Sequence, residues 1–423
     1  MTPITHAWMV AVQIAKAYIF FYPLTMSCIW MLGALVFYLR YERHPHRRVS
    51  EPPLLSDYPF VAVLVPCYNE QHNIEETIDA LMELQYPNFE VVAINDGSTD
   101  DTEKLLDALA AQHPRLRVIH HVKNQGKAVG LNTGALLTRA DILVGIDGDA
   151  RLDPWAIHWL VAHFEVASVG AVTGNPRMRN RSTLIGRIQV GEFSSMVGMI
   201  KRAQRALGAM FTISGAVSAF RRSALHEVGY WTHHRLTEDV DISWKLQVAG
   251  WDIRFEPRAL CWILMPETYA GLWKQRLRWA MGGAQVMLSH AGQMLHWRCA
   301  RLWPLYIEYY LSIIWAWLFS FALAFRVLDL VAIHVDLGSA AVLLPGSAGF
   351  LLGTSCLAQM LVGFLLDRPY DRDLLRNYLW AIWYPAVYWL IATASAVAGI
   401  PRVLLQDRQE RARWQSPDRG VVP

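Results

Sequence analysis

Phe60-Val61-Ala62-Val63-Leu64-Val65 runs without a break into the polar turn Pro66-Cys67-Tyr68-Asn69-Glu70, and the same grammar returns twice. Phe89-Glu90-Val91-Val92-Ala93-Ile94 leads into Asn95-Asp96-Gly97, and Asp141-Ile142-Leu143-Val144-Gly145-Ile146 into Asp147-Gly148-Asp149. Apolar runs of this length, bounded by turn residues, read as parallel strands buried on both faces. Between the first two, Ile74, Ile78, Leu81 and Leu84 recur at helical spacing. Ser98 with Asp101 fits a capping box opening the next helix. Strand, helix, strand implies right-handed crossovers and a doubly wound, mostly parallel α/β sheet. In such sheets ligands bind outside the carboxyl ends of the strands, so three separate stretches deliver polar groups to one edge. The pattern holds from Phe60 to about Pro266.

Outside that region the chain changes character. It is 53% apolar and only 18% charged, with 18 Trp, the balance of a membrane protein carrying one water-facing domain. Ala17 to Leu39 is an uncharged apolar run long enough to cross a bilayer and lacks a cleavage pattern, so it reads as a retained anchor. The basic stretch Arg40 to Arg48 follows and places the next domain in the cytoplasm. Trp303 to Phe325, Gly338 to Leu366 and Tyr378 to Leu404 are further candidate spans. Three full crossings would leave Arg402, Arg408, Arg411 and Arg413 outside, against the positive-inside rule. Either the last segment, interrupted by Pro385, is re-entrant or interfacial, or the count is off by one. The expected division is an anchor and basic linker over 1–50, a cytoplasmic domain over 51–270, interfacial helices over 271–302, a membrane region over 303–405 and a basic tail over 406–423. A net charge of +3 is too small to suggest a nucleic-acid binder, and the five cysteines have neither zinc-site nor disulfide spacing.

Four signatures carry chemistry. Asp147 and Asp149 put two carboxylates at a strand end, which suits a divalent ion that also binds diphosphate oxygens, although an isolated Asp-Gly-Asp is equally an acidic turn. Asp96 sits where it can meet a base or ribose, and equally in a turn. Lys127 adds positive charge nearby or is a solvated lysine. Thr237-Glu238-Asp239 precedes a helical stretch that Thr237 can cap, and a carboxylate there can take a proton from an attacking hydroxyl. Asp241 is the lesser local alternative. Gln275-Arg276-Leu277-Arg278-Trp279 lies before a membrane span and reads either as an interfacial belt or as a sugar-stacking, anion-binding group. Gly282-Gly283-Ala284 would let its helix pack close to the site.

These signatures, in this order, resemble the processive family 2 glycosyltransferases, and with Arg221 to Leu225 and the tail Arg411 to Gly420 they are similar to the bacterial poly-β-1,6-N-acetyl-D-glucosamine synthases. The resemblance runs from about Tyr38 onward and implies a GT-A fold with transmembrane helices at both ends. It implies an inverting transfer of N-acetylglucosamine from UDP-N-acetylglucosamine to a growing β-1,6 chain at a bacterial inner membrane. Asp239 would be the base, with Glu238 and Arg278 catalytic. Asp149 would hold Mg2+ or Mn2+, and Pro66, Tyr68, Glu70, Asp96, Lys127, Asp147, Gln275, Arg276 and Trp279 would bind donor or acceptor. The membrane helices would pass the polymer across the bilayer. A small membrane accessory subunit and cyclic di-GMP regulation are family-implied partners, although no appended cyclic di-GMP domain is expected, which argues mildly against cellulose. Synthases of chitin, hyaluronan or cellulose, and lipid-phosphate glycosyltransferases, share the nucleotide motifs. A transporter would show repeats or a Gly-Lys-Ser/Thr loop, and neither is present.

Overall fold

The computed structural model describes residues 3–43, 49–332, 346–371 and 373–405. Helix α1 (Pro3–Phe37) continues as a π-helical turn over Tyr38–Glu42. A βα alternation follows: β1 (Val61–Cys67), α2 (Ile74–Met82), β2 (Phe89–Asn95), α3 (Thr102–Gln112), β3 (Leu116–His120), α4 (Lys127–Leu137), β4 (Ile142–Ile146), β5 (Arg151–Leu152) and α5 (Ala156–Val161). The second half holds β6 (Val169–Met178), α6 (Leu184–Glu192), a π segment over Phe193–Met199, α7 (Ile200–Ala206), β7 (Val217–Arg221), α8 (Arg222–Glu227), α9 (Glu238–Val248) and β8 (Asp252–Ile263). Helices α10 (Tyr269–His290), α11 (Trp303–Ala332), α12 (Ser347–Asp367) and α13 (Tyr384–Leu405) complete the described chain.

The sheet runs β3-β2-β1-β4-β7-β6-β8-β5. The first four strands are parallel, with Val61 opposite both Phe89 and Ile142, while β7 is antiparallel to both neighbours and β8 is parallel to β6. Alternation along β1 sends Val61, Val63 and Val65 to the face covered by Ile74, Ile78 and Leu81, and Ala62 and Leu64 to the face covered by Leu131 and Ala135. Gly134 brings α4 in close, since a Cβ there would lie 2.9 Å from Leu64 Cδ2. From β1 the chain turns to β2 on one side and is joined by β4 on the other, so the switch-point crevice opens at Pro66 to Glu70.

Local details depart from expectation. Ser98 and Asp101 form no capping box: α3 starts at Thr102 with no side-chain bond from Asp101. Ser98 Oγ accepts the Asn69 N–H at 3.0 Å, Asn69 Oδ1 accepts the Thr99 N–H at 2.8 Å and Asp100 accepts the Gln71 and Thr102 N–H groups. The polar residues of this loop are used to bind it to the loop after β1.

Three described helices are long and apolar enough to cross a membrane, within His6–Glu42, Trp297–Leu328 and Ser347–Asp367. The first reaches well before Ala17 and is more than an anchor, because Gly33 lets it press on α7, a Cβ there falling 2.8 Å from Ala203 Cβ. Residues 338–345 of the expected second C-terminal span lie outside the described residues, as do Arg408, Arg411, Arg413 and residues 44–48. The last candidate begins as a 3-10 helix, Leu374–Trp383, and becomes α13 at Tyr384. Pro385 falls at the start of α13, and the apolar helix beyond it, Trp389–Leu405, is shorter than the three membrane-length helices.

Membrane and sheet regions are joined through buried charge. Asp367, at the end of α12, receives Arg177 at 2.5 Å from the end of β6 and Arg202 at 2.8 Å from α7. Arg202 also reaches Glu42 at 2.7 Å, and the Tyr370 hydroxyl donates to Glu42 at 2.8 Å. Removing one partner of a buried pair strands the rest. Asp367→Ala is expected to cost about 3–5 kcal/mol, seen as a lowered unfolding midpoint in detergent, and an unchanged midpoint would show that the network contributes little.

Candidate active site

The loops at the switch point are built around Gly148. A Cβ there would lie 3.2 Å from Glu70 Cγ and 3.3 Å from the Pro66 carbonyl, so the absence of a side chain eases the close approach of this turn to the end of β1. Glu70 is buried, takes a bond from Asn73 Nδ2 at 3.3 Å, and its N–H donates to Thr102 Oγ1 at 2.8 Å. Pro66 is buried and Tyr68 half-buried on the same edge. Asp149 is 5% exposed, whereas the Asp147 side chain is about one third open, at 34%.

Asp96 is fully buried, and its carboxylate meets His121 Nδ1 at 2.8 Å and the backbone N–H groups of Gln125 at 3.0 Å and Gly126 at 2.8 Å. Through these bonds Asp96 holds the loop that presents Lys127. Gly126 has φ +96°, a left-handed conformation that favours glycine.

Lys127 is not a solvated lysine. Its Nζ lies 2.5 Å from Asp147 Oδ1, 3.2 Å from Glu238 Oε1 and 3.0 Å from the Gly215 carbonyl. Burial works against its charge, but Asp147 and then Glu238 outweigh it and hold the ammonium above its ordinary pKa. One side chain therefore draws together β4, the start of α9 and the loop before β7.

At the start of α9, Thr237 makes no capping bond, and its Oγ1 has no partner among the described residues. The reason is close packing: a Cβ on Gly282 would fall 2.3 Å from Thr237 Oγ1, so α10 crosses α9 in direct contact. Asp239 is pushed up to about 6 by burial and by the charge of Glu238, with Lys127 and Arg278 acting in the opposite direction. Asp241 is buried elsewhere, accepting from the Thr232 hydroxyl at 2.6 Å with Arg235 at 3.4 Å.

Thr268 caps α10 by accepting the Gly271 N–H at 3.1 Å. Gln275, Arg278 and Trp279 then share one face at i, i+3 and i+4. Arg278 is exposed and Trp279 keeps 37% exposure, while Gln275 Oε1 is buried without a hydrogen bond among the described residues. Arg276 falls one position off that face. Instead of facing a substrate it turns inward, pairing with Glu192 at 2.5 Å beneath the Trp279 ring.

Residues outside any motif complete the floor. Gly215 lies close under both side chains, since a Cβ there would be 3.3 Å from Lys127 Nζ and 3.4 Å from Asp239 Oδ2. Thr173 Oγ1 accepts the Ser214 N–H at 2.8 Å and Lys201 Nζ at 3.3 Å, and burial lowers the Lys201 amine to about 7 although Asp239 opposes this. Among the described residues no three acidic, histidine or cysteine side chains gather closely enough to cage a cation. The pair Asp147 and Asp149 fits instead a magnesium-type ion, which takes one or two carboxylates and completes its shell with water and phosphate oxygens.

A parallel sheet with acids at its switch point, closed by an amphipathic helix beside membrane spans, is the architecture of a GT-A glycosyltransferase. Residues 59–282 match the family described as glycosyltransferase like family 2, and the chain belongs to that family. At full length it is similar to the poly-β-1,6-N-acetyl-D-glucosamine synthase of Staphylococcus epidermidis, 34% identical over 406 residues, 96% of this chain and 98% of the relative. The synthase of the same name from Staphylococcus aureus strain COL is 34% identical over 404 residues, 95% and 98% of the two chains. A mannosyltransferase from Pyrobaculum calidifontis, solved with GDP-mannose and Mn2+, shares the fold at a TM-score of 0.59 and 22% identity, covering 90% of this chain and 98% of its own.

Proposed function

We propose that the protein polymerises N-acetylglucosamine from UDP-N-acetylglucosamine into a β-1,6-linked chain, working on the cytoplasmic side of a bacterial plasma membrane. The observation that carries this reading is one half-buried carboxylate, Asp239, which feels the charges of Glu238 and Lys127 on one side and of Arg278 on the other. The names of the full-length relatives support the sugar and the linkage.

The donor bond is α and the product bond β, so one displacement suffices. The acceptor 6-hydroxyl oxygen bonds to C1, the bond from C1 to the diphosphate oxygen breaks with its electrons leaving on UDP, and the hydroxyl proton passes to Asp239. Glu238 keeps Asp239 basic by its charge. Arg278 neutralises the departing diphosphate and Trp279 stacks on the acceptor sugar. Mg2+ or Mn2+, held by Asp149 with Asp147, would supply further neutralisation of the diphosphate. Asp96 acts as a positioning residue through Gln125 and Gly126.

Passage of the polymer fits a cavity of about 170 Å³ between α1, α11, α12 and α13, lined by Tyr22, Trp30, Glu308, Trp315, Gln359 and Trp389. Glu308 accepts the Tyr22 hydroxyl at 3.1 Å. An ionisable group within a membrane-length helix is a candidate for a polar pathway, and the aromatic rings offer stacking surfaces for sugars.

The product tests the assignment. Membranes given labelled UDP-N-acetylglucosamine should yield polymer degraded by a β-1,6-N-acetylglucosaminidase and resistant to chitinase, whereas chitinase-sensitive polymer would refute the linkage. The base is tested by pH. A base with a pKa of about 6 is active when ionised, so kcat/KM should fall about tenfold per unit as pH drops below that value. Asp239→Asn should lose about 10² to 10⁴ in kcat and keep its donor affinity. A rate independent of pH from 5 to 7, or an equal loss in Asp241→Asn, would assign the proton elsewhere.

A further inference from the structure

Arg276 lies within the Gln275 to Trp279 stretch yet faces away from the site, and its environment explains why. Its guanidinium is buried, pairs with Glu192 Oε2 at 2.5 Å and lies 4.3 Å from the centre of the Trp279 ring. Glu192 comes from a distant part of the chain, the last residue of α6 before the π segment. It is 9% exposed. A π turn inside a helix re-aims the side chains around it and is frequent at functional sites. That helix is also held from behind. A Cβ on Gly191 would lie 2.9 Å from Met360 Cε, and one on Gly363 would lie 2.8 Å from Ser195 Cα, so membrane helix α12 packs closely on α6 and the π segment.

We propose that Glu192 is a positioning residue for sugar transfer: it fixes the Arg276 guanidinium beneath Trp279, and that guanidinium sets the tilt and height of the ring on which the acceptor sugar lies. This rests on the reading of Trp279 as the acceptor platform. The physics is a relay of two contacts. A buried guanidinium needs its carboxylate, and a cation over an aromatic face orients the ring while leaving its other side open. Trp279 retains more than a third of its surface, 37%, with Arg276 over its ring. Membrane helix α12 thereby holds the acceptor platform through α6, Glu192 and Arg276.

The test is a double-mutant cycle on the full-length protein in lipid nanodiscs, with saturating UDP-N-acetylglucosamine and a β-1,6-linked N-acetylglucosamine tetramer as the added acceptor. Glu192→Gln should raise the acceptor KM about tenfold, the size expected from loosening one partly desolvated cation–π contact, with UDP affinity within about twofold of the parent. In a Trp279→Ala background the same change should have no further effect on acceptor KM, an outcome that a merely structural ion pair would not produce. If the two losses multiply, the positioning role is overturned while the platform reading stands. If Trp279→Ala alone leaves acceptor KM unchanged, the platform reading falls and takes the proposal with it. Should Glu192→Gln fail to fold, the cycle is run with Glu192→Asp, which keeps the charge and shortens the reach, and the same outcomes decide.

Discussion

The ammonium group of Lys127 is the constraint on which the site depends. It touches Asp147 at the end of β4, Glu238 at the start of α9 and the carbonyl of Gly215 before β7. Without a cation between them these acids would repel one another at short range in a partly buried crevice, where charge interactions are stronger than in water. Its placement is prepared upstream, by Asp96 holding the N–H groups of Gln125 and Gly126 and by the left-handed turn at Gly126. Downstream, the lysine tempers the rise in Asp239 that burial and Glu238 impose.

A second constraint fixes this site relative to the membrane helices. Glu42, Arg177, Arg202 and Asp367 come from four parts of the chain and meet in one buried network. Glycines reinforce it: Gly33 against Ala203, Gly198 against Asp367 and Gly363 against Ser195 are all contacts that a side chain would push apart. Paired and packed in this way, the sheet domain and the spans form one continuous body.

The strands and their polar ends were legible in the sequence because a buried parallel strand is an unbroken apolar run, and β1, β2 and β4 appear within a residue or two of where that pattern puts them. Trp279 and Asp239 stood out for their residue types and spacing. Lys201, Glu192 and Asp367 did not, since each acts through a partner far away in the chain: Glu192 meets Arg276 84 positions on, and Arg177 meets Asp367 at a separation of 190. Local pattern also misread Ser98 as part of a capping box and did not show the inward partners of Asp96. A strand-end acid and a hydroxyl before a helix carry no mark of their partners in the sequence, which come from the loop at 121–126 and the loop after β1.

In the proposed mechanism Asp239 is a poised base, raised by burial and Glu238 and restrained by Lys127. Titration of its carboxyl stretch by infrared spectroscopy, as the difference between the parent protein and Asp239→Asn, reads this directly. The parent should show a midpoint near 6. Lys127→Gln should show a higher one, because removing the nearby cation removes a charge that favours the ionised form. A midpoint near the ordinary aspartate value, or one that does not rise when Lys127 is neutralised, would contradict it.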